Sequence, residues 1–234
     1  KPLMDVLHHF DVETIGVLSS ITVFSMSIVS IGKQILAKTQ IPFQIAIPLS
    51  VGSVLGGYLG QGLLRVIVDA LQAEGIVTVV QNAVLAVLIL CVYFYMRNKS
   101  RIPGLHLSGI PISLAVGCFL GICSSFLGIG GGPINVALII YLFGYDTKSA
   151  TVCSIVTILF SQISKLGSVA LSTGFAVYDL SILPVMVVGA IAGGFIGASL
   201  SKKLQEQTVD RAFNAVQLLV LALAIVNIIR NAAG

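Results

Sequence analysis

Charge is what this chain lacks. Only 9% of its 234 residues are charged, where a soluble domain carries about one quarter. With 56% hydrophobic residues and a mean hydropathy of +1.04, a water-exposed surface would be one large apolar patch, so a soluble fold is excluded and a bilayer is the natural solvent. The formal charge of +4 is small, and its basic residues lie in short loops between apolar runs. They bear on membrane orientation and exclude a nucleic-acid surface. Cysteine is scarce too: Cys91, Cys118, Cys123 and Cys153 all sit in apolar stretches with no CxxC spacing. That excludes a disulfide framework or a thiolate metal site, and the four read as buried small hydrophobes. HExxH and GxSxG are absent, which argues against an intramembrane hydrolase, and His8, His9 and His106 lie near loops in reach of solvent. Neither an initiating methionine nor a signal-peptide pattern stands at Lys1, which is consistent with an upstream segment outside this sequence.

What is present is glycine, 24 residues of it, as expected where helix backbones must approach closely in lipid. Apolar runs long enough to span a bilayer, roughly 20 helical residues, fall at 14–31, 44–67, 76–96, 149–168, 180–200 and 211–229. Between the third and fourth lies a different object, residues 111–143, interrupted by Gly128-Ile-Gly-Gly-Gly-Pro133. As one straight helix it would run about 50 Å, too long for one span, while two spans with a turn need more than about 40 residues. The spacing predicts two half-helices that meet inside the membrane, at a break whose irregular backbone needs a polar or protein environment.

The chain also repeats. At a shift of 135, Asp11, Val17, Ser19, Thr22, Ile28 and Gly32 fall on Asp146, Val152, Ser154, Thr157, Ile163 and Gly167. At 137, Gly52, Gly56, Gly57 and Gly60 fall on Gly189, Gly193, Gly194 and Gly197, and at 132, Asn82-Ala-Val84 falls on Asn214-Ala-Val216. The first-half counterpart of the broken element should then precede Lys1, with only its tail at Lys1 to His9. If the broken element enters and leaves on one face, nine basic residues (Lys33, Lys38, Arg97, Lys99, Arg101, Lys148, Lys202, Lys203, Arg211) share that face against Arg65, Lys165 and Arg230 near the other. The positive-inside rule favours this arrangement, which makes the halves inverted, a recurrent plan of secondary transporters. The expected fold is therefore an all-α integral membrane protein of two inverted structural repeats, a glycine-broken, re-entrant or discontinuous helix opening each, the first largely missing from this chain. The division is 1–96 for the first repeat, 97–110 for a basic cytoplasmic linker and 111–234 for the second repeat.

Two features could carry chemistry. One is the break with its flanks, Ser124, Ser125, Gly130, Gly131, Gly132, Pro133 and Asn135, where uncovered amide N–H groups and the positive end of the following half-helix make an anion site; the other reading is a kink for tight packing. Pro133 stands where GxGxxG would need glycine, so this is no dinucleotide fingerprint. The second is a polar stripe, Thr151, Ser154, Thr157, Ser161 and Lys165, with Gln162 beside it, on one helical face. Hydroxyls in such positions otherwise bond their own helix, and Lys165 near the helix end either faces a cavity or snorkels to the interface. The matching first-half positions are Ser19, Thr22, Met26 and Ser30.

At Gly128-Ile-Gly-Gly-Gly-Pro133, the Phe-Gly-Tyr-Asp-Thr link at 143–147, Ala150-Thr-Val-Cys-Ser154 and Gly193-Gly-Phe-Ile-Gly197, the chain resembles the TauE/SafE family of membrane permeases, the sulfite exporter or anion permease family. The resemblance implies transport of sulfur-containing anions such as sulfite, sulfonates or thiosulfate across a bacterial cytoplasmic (inner) membrane by a multi-pass protein. The alternatives are a passive anion channel or an intramembrane enzyme. No P-loop is present, so a proton, sodium or substrate gradient is the expected energy source. Expected partners are the small anion, a sulfur oxyanion or organosulfonate, the coupling proton or sodium ion and the lipid bilayer. No cofactor, metal or nucleic acid is expected, and an oligomer is compatible with the sequence.

Overall fold

In hydrocarbon a backbone must satisfy its own N–H and C=O groups, which the α-helix does within one segment. The computed structural model describes residues 10–36, 42–71, 74–99, 101–128 and 131–232, and among them all regular structure is helical. Eight helices follow in order: α1 (Val12–Leu36), α2 (Phe43–Leu71), α3 (Glu74–Asn98), α4 (Ile110–Leu127), α5 (Gly132–Phe143), α6 (Thr147–Ser172), α7 (Leu183–Lys203) and α8 (Glu206–Ala232). Seven are long and apolar enough to cross a membrane. The eighth, α5, has 12 residues, about 18 Å of rise. The chain is a multi-pass helical membrane protein. Lys1 to His9 and Lys38 lie outside the described residues.

The predicted pair of half-helices is unequal. Its first member, α4, has 18 residues, about 27 Å, and only α5 is a true half-helix. Leu105 N donates to Tyr141 O at 2.8 Å and Leu107 N to Leu142 O at 2.7 Å, so the approach to α4 runs beside the exit from α5. The element is re-entrant: it begins and ends at the same end of the bundle. To that end also belong the close of α3 and the starts of α6 and α8. Lys99 Nζ lies 2.7 Å from Asp210 and 3.4 Å from Glu206, and Thr147 Oγ1 donates to Asp210 at 2.9 Å. Partly exposed ion pairs of this kind stabilise by less than about 1 kcal/mol. Their value is topological, for they put residues 97–99 and 206–210 on one face, as the basic split requires.

Helix α6 starts there on an N-cap. Asp146 accepts from Lys148 N and Ser149 N, both at 3.0 Å. Partial burial pushes its carboxyl up, but the hydrogen bonds from Ser149 and Lys148 outweigh that and hold it below the usual carboxylate range. A depressed folded-state pKa means the cap stabilises fully above the ordinary carboxylate pKa and is lost as pH falls through the lower folded value. Asp146→Ala should lower stability by about 1 kcal/mol, read as a lower melting temperature of the detergent-solubilised protein at neutral pH.

At the opposite end the start of α1 meets the exit of α6. Tyr178 Oη donates to Glu13 at 3.4 Å, and Arg65, late in α2, bonds Ser172. Helices α1 and α6 are therefore antiparallel, as are α3 and α8, where Asn227 Nδ2 donates to Asn82 Oδ1 at 3.3 Å. The closest packing is α2 on α4. A Cβ at Gly52 would sit 2.1 Å from Leu114 O, one at Gly56 1.9 Å from Cys118 O, and one at Gly60 2.6 Å from Ile122 O. Glycine alone allows such approach, and lipid offers no hydrophobic effect to replace it. The buried apolar core between α3, α4 and α5 includes Ile89, Leu120 and Ile139.

The cysteines depart in part from expectation. All four are free thiols, but only Cys153 is buried, while Cys118 and Cys123 are half-buried and Cys91 is exposed. A bilayer solvates an apolar thiol as it does a methyl, so an apolar stretch does not force burial.

A glycine break lined by buried polar groups

Among the described residues, two with left-handed backbone bound the break. Gly128 (φ 64°) ends α4 with its N–H on Ser124 O, and Gly131 (φ 68°) is the N-cap of α5, whose first bond is Asn135 N to Gly131 O at 2.8 Å. Side chains disfavour that conformation by roughly 1–2 kcal/mol, so glycine is favoured at both.

A helix that ends inside a membrane leaves carbonyls to satisfy. Ser125 O accepts from Lys165 Nζ at 3.2 Å, Phe126 O from Gln81 Nε2 at 2.6 Å, and Gly128 O from Ser19 Oγ at 2.6 Å. The negative end of α4 thus faces an ammonium, the favourable sense for a helix dipole. Lys165 also lies 3.5 Å from Gly16 O and is only 1% exposed, which removes the snorkelling alternative. The facing end, α5, starts without a side-chain cap. A Cβ on Gly132 would meet nothing within 4 Å among the described residues, which leaves room among them beside the N–H groups of that first turn.

Around this point sit polar atoms with nothing to bond. Ser125 Oγ, Asn135 Oδ1, Ser161 Oγ and Gln162 Oε1 are buried and have no hydrogen-bond partner among the described residues. Each such orphan costs about 1–3 kcal/mol, and native proteins keep them few. Gln162 Nε2 lies 3.1 Å from Ser124 Oγ. A hydroxyl can donate as well as accept, so the amide can turn over and offer its NH2 inward without losing that bond. Asn135 Oδ1 is likewise an acceptor with no bond to lose, so that amide can turn its NH2 inward too. With both amides turned, the set suits an anion: two hydroxyls, two amides, a lysine and the N-terminus of a half-helix.

The family model described as Sulfite exporter TauE/SafE matches residues 2–225. The chain belongs to the TauE/SafE family. It is 34% identical over 115 residues to the probable membrane transporter protein YunE of Bacillus subtilis (strain 168), a stretch that is 48% of this chain and 38% of that protein. The match thus spans about two fifths of that relative's length. No solved structure matches the chain significantly.

In this TauE/SafE chain the sequence-derived site residues divide by what they touch. Ser19, Ser124, Ser125, Gly131, Asn135, Gln162 and Lys165 are joined to the break by the contacts above. Gly132 and Pro133 open α5 at half-buried positions, and Ser154 and Ser161 are 1% exposed. Thr157 and Thr22 turn their hydroxyl hydrogens to their own helices, at Cys153 O (2.9 Å) and Leu18 O (2.7 Å), and offer only lone pairs elsewhere. Gly130 lies outside the described residues, as do His8 and His9; His106 is exposed. Sequence reasoning missed Gln81 and Ser53. Ser53 Oγ lies 3.0 Å from Thr157 O, tying α2 to the stripe. A glutamine inside a span was itself a signal for Gln81, because polar groups at that depth need a named partner.

Proposed function

We propose that this chain forms the core of a secondary transporter of small sulfur-containing anions, sulfite, sulfonates or thiosulfate, in the cytoplasmic membrane of a bacterium. The observation that carries the reading is the cluster of unpartnered, buried polar atoms beside Lys165 and the open start of α5. Hydroxyls, amides and backbone N–H groups hold an oxyanion by charge-assisted hydrogen bonds, and one lysine supplies the opposing charge. The family membership supports the substrate class.

The halves are read as inverted repeats, 1–96 and 111–234, joined by a cytoplasmic linker at 97–110. Antiparallel α1 and α6 and antiparallel α3 and α8 support this, as does the gathering of Lys99, Lys148 and Arg211 toward one face. Among the described residues, the polar side chains bordering the break are 2% exposed or less, apart from Ser19 at 5%, which favours an occluded carrier that alternates its access over an open channel.

The test is uptake into liposomes holding the purified protein, with sulfite, an alkylsulfonate, thiosulfate and chloride. The expected result is saturable uptake of at least one sulfur anion, accelerated by unlabelled substrate inside. Flux that rises linearly with concentration and shows no counterflow would replace the carrier with a channel. No flux of any sulfur anion would remove the substrate class.

A further inference from the structure

The anion site is not equally deep from the two ends of the bundle. From Thr147 to Lys165, α6 rises about 27 Å, and α4 rises about as much before it reaches the break. From Lys165 to the end of α6 at Ser172 the rise is only about 10 Å, and from the start of α1 to Gly16, whose carbonyl Lys165 reaches, about 6 Å. The near end is the one opposite Lys99, which the basic split makes the outer one. What separates the site from that end is therefore thin, about the depth of a single layer of side chains.

That layer is apolar. Val17 follows Gly16 on α1, and Val169 stands one turn beyond Lys165 on α6. They are 2% and 0% exposed, and Tyr178, at 8%, completes with them a cluster distinct from the main core. Ile21, Phe175 and Leu180 pack around it. Tyr178 belongs to the link between α6 and α7, and its hydroxyl fastens that link at two places: it lies 2.9 Å from Thr173 Oγ1 and donates to Glu13 on α1 at 3.4 Å. The residue therefore bridges antiparallel α1 and α6, the helices that hold Gly16 and Lys165. An oxyanion crosses such a layer only by shedding its water or when the layer parts, and the cost of burying a bare charge rules out the first.

We propose that Val17, Val169 and Tyr178 form the outer gate of the transporter, an apolar seal that keeps water from the anion site and parts when α1 and α6 separate, with Tyr178 as its latch. The inference rests on the carrier reading above and names the residues through which that carrier opens outward. Apolar side chains suit the task, because they close a passage by dewetting and offer the anion no charge on which to lodge. The latch suits it as well, for two hydroxyl contacts at a bundle end are few enough to break and re-form in each cycle, whereas the buried core between α3, α4 and α5 is not.

The experiment follows access to the site rather than flux, so the gate is tested separately from the carrier reading, which the uptake assay decides. A probe cysteine is placed at Ser161, 1% exposed beside the break, in the full-length protein with Cys91, Cys118, Cys123 and Cys153 replaced by alanine. Right-side-out and inverted membrane vesicles are treated with a membrane-impermeant sulfonated methanethiosulfonate, and the rate of labelling is measured. Tyr178→Ala removes contacts made only in the closed state, so labelling from outside should rise by at least about ten-fold, while labelling from the cytoplasmic side does not rise. Tyr178→Phe keeps the ring and loses the latch, and should raise the outside rate by less. Leu171→Ala, at a 92% exposed position of the same end, should be silent. An outside rate in Tyr178→Ala no higher than in Leu171→Ala would overturn the proposal. A rise of equal size from both sides would overturn it too, since it marks a loosened bundle. If Tyr178→Ala fails to insert, Val17→Ala thins the same seal and is judged by the same outcomes.

Discussion

Replacing Gly131 by leucine is expected to abolish anion transport while leaving the protein inserted and folded. The position combines a left-handed backbone with close neighbours: a Cβ would stand 2.9 Å from Asn135 Oδ1 and 3.3 Å from Ser124 Cβ. A leucine there fills the space through which an anion would reach the first turn of α5 and pushes Asn135 out of line. Backbone strain alone should cost only about 1–2 kcal/mol, too little to unfold a multi-helix bundle. Gly174 provides the control, with φ +70° and, among the described residues, nothing within 4 Å of its Cβ. Gly174→Leu carries the same strain away from the break and should transport normally. If both variants transport like wild type, the break is a packing kink and the anion binds elsewhere.

Lys165→Met is expected to reduce transport at limiting substrate by about 100-fold. Methionine keeps most of the length and apolar volume and removes the charge. A hydrogen bond to a charged partner contributes about 1.5–3 kcal/mol, and the upper part of that range corresponds to about a hundred-fold in affinity. Thermal stability should change little, because removing a buried charge offsets the lost bonds to Ser125 O and Gly16 O. The two readouts separate the roles. A merely structural lysine, capping α4, would lower the melting temperature in Lys165→Met and leave the half-saturating concentration alone.

How far the sequence foretold this depends on the kind of signal each residue leaves. The spans were legible because hydrocarbon imposes length and hydropathy directly, and the helices found at Val12–Leu36 and Thr147–Ser172 enclose the runs read at 14–31 and 149–168. The break was legible because three consecutive glycines followed by proline cannot continue a helix. Its inequality was not, since nothing in residues 111–127 separates an 18-residue helix from a shorter one. Serine and threonine were the hardest to assign. Ser19 and Thr22 share a face by spacing, yet one hydroxyl crosses to Gly128 O and the other returns to Leu18 O, a choice set by what packs opposite. Lys165 looked close to a helix end because depth was counted along α6 alone. Its burial comes from α4 and α1, which close over it in three dimensions.

The most direct test of the central claim is to locate the anion. Crystals grown with selenite, the selenium analogue of sulfite, and measured at the selenium edge should show one anomalous peak at the break, about 3.5–4.5 Å from the nitrogens of Gly132 and Lys165, the span of a hydrogen bond and a selenium–oxygen bond set at an angle. A peak at the hollow between Phe43, His106 and Tyr145, at the end where α2 and α4 begin, with none at the break, would contradict the account.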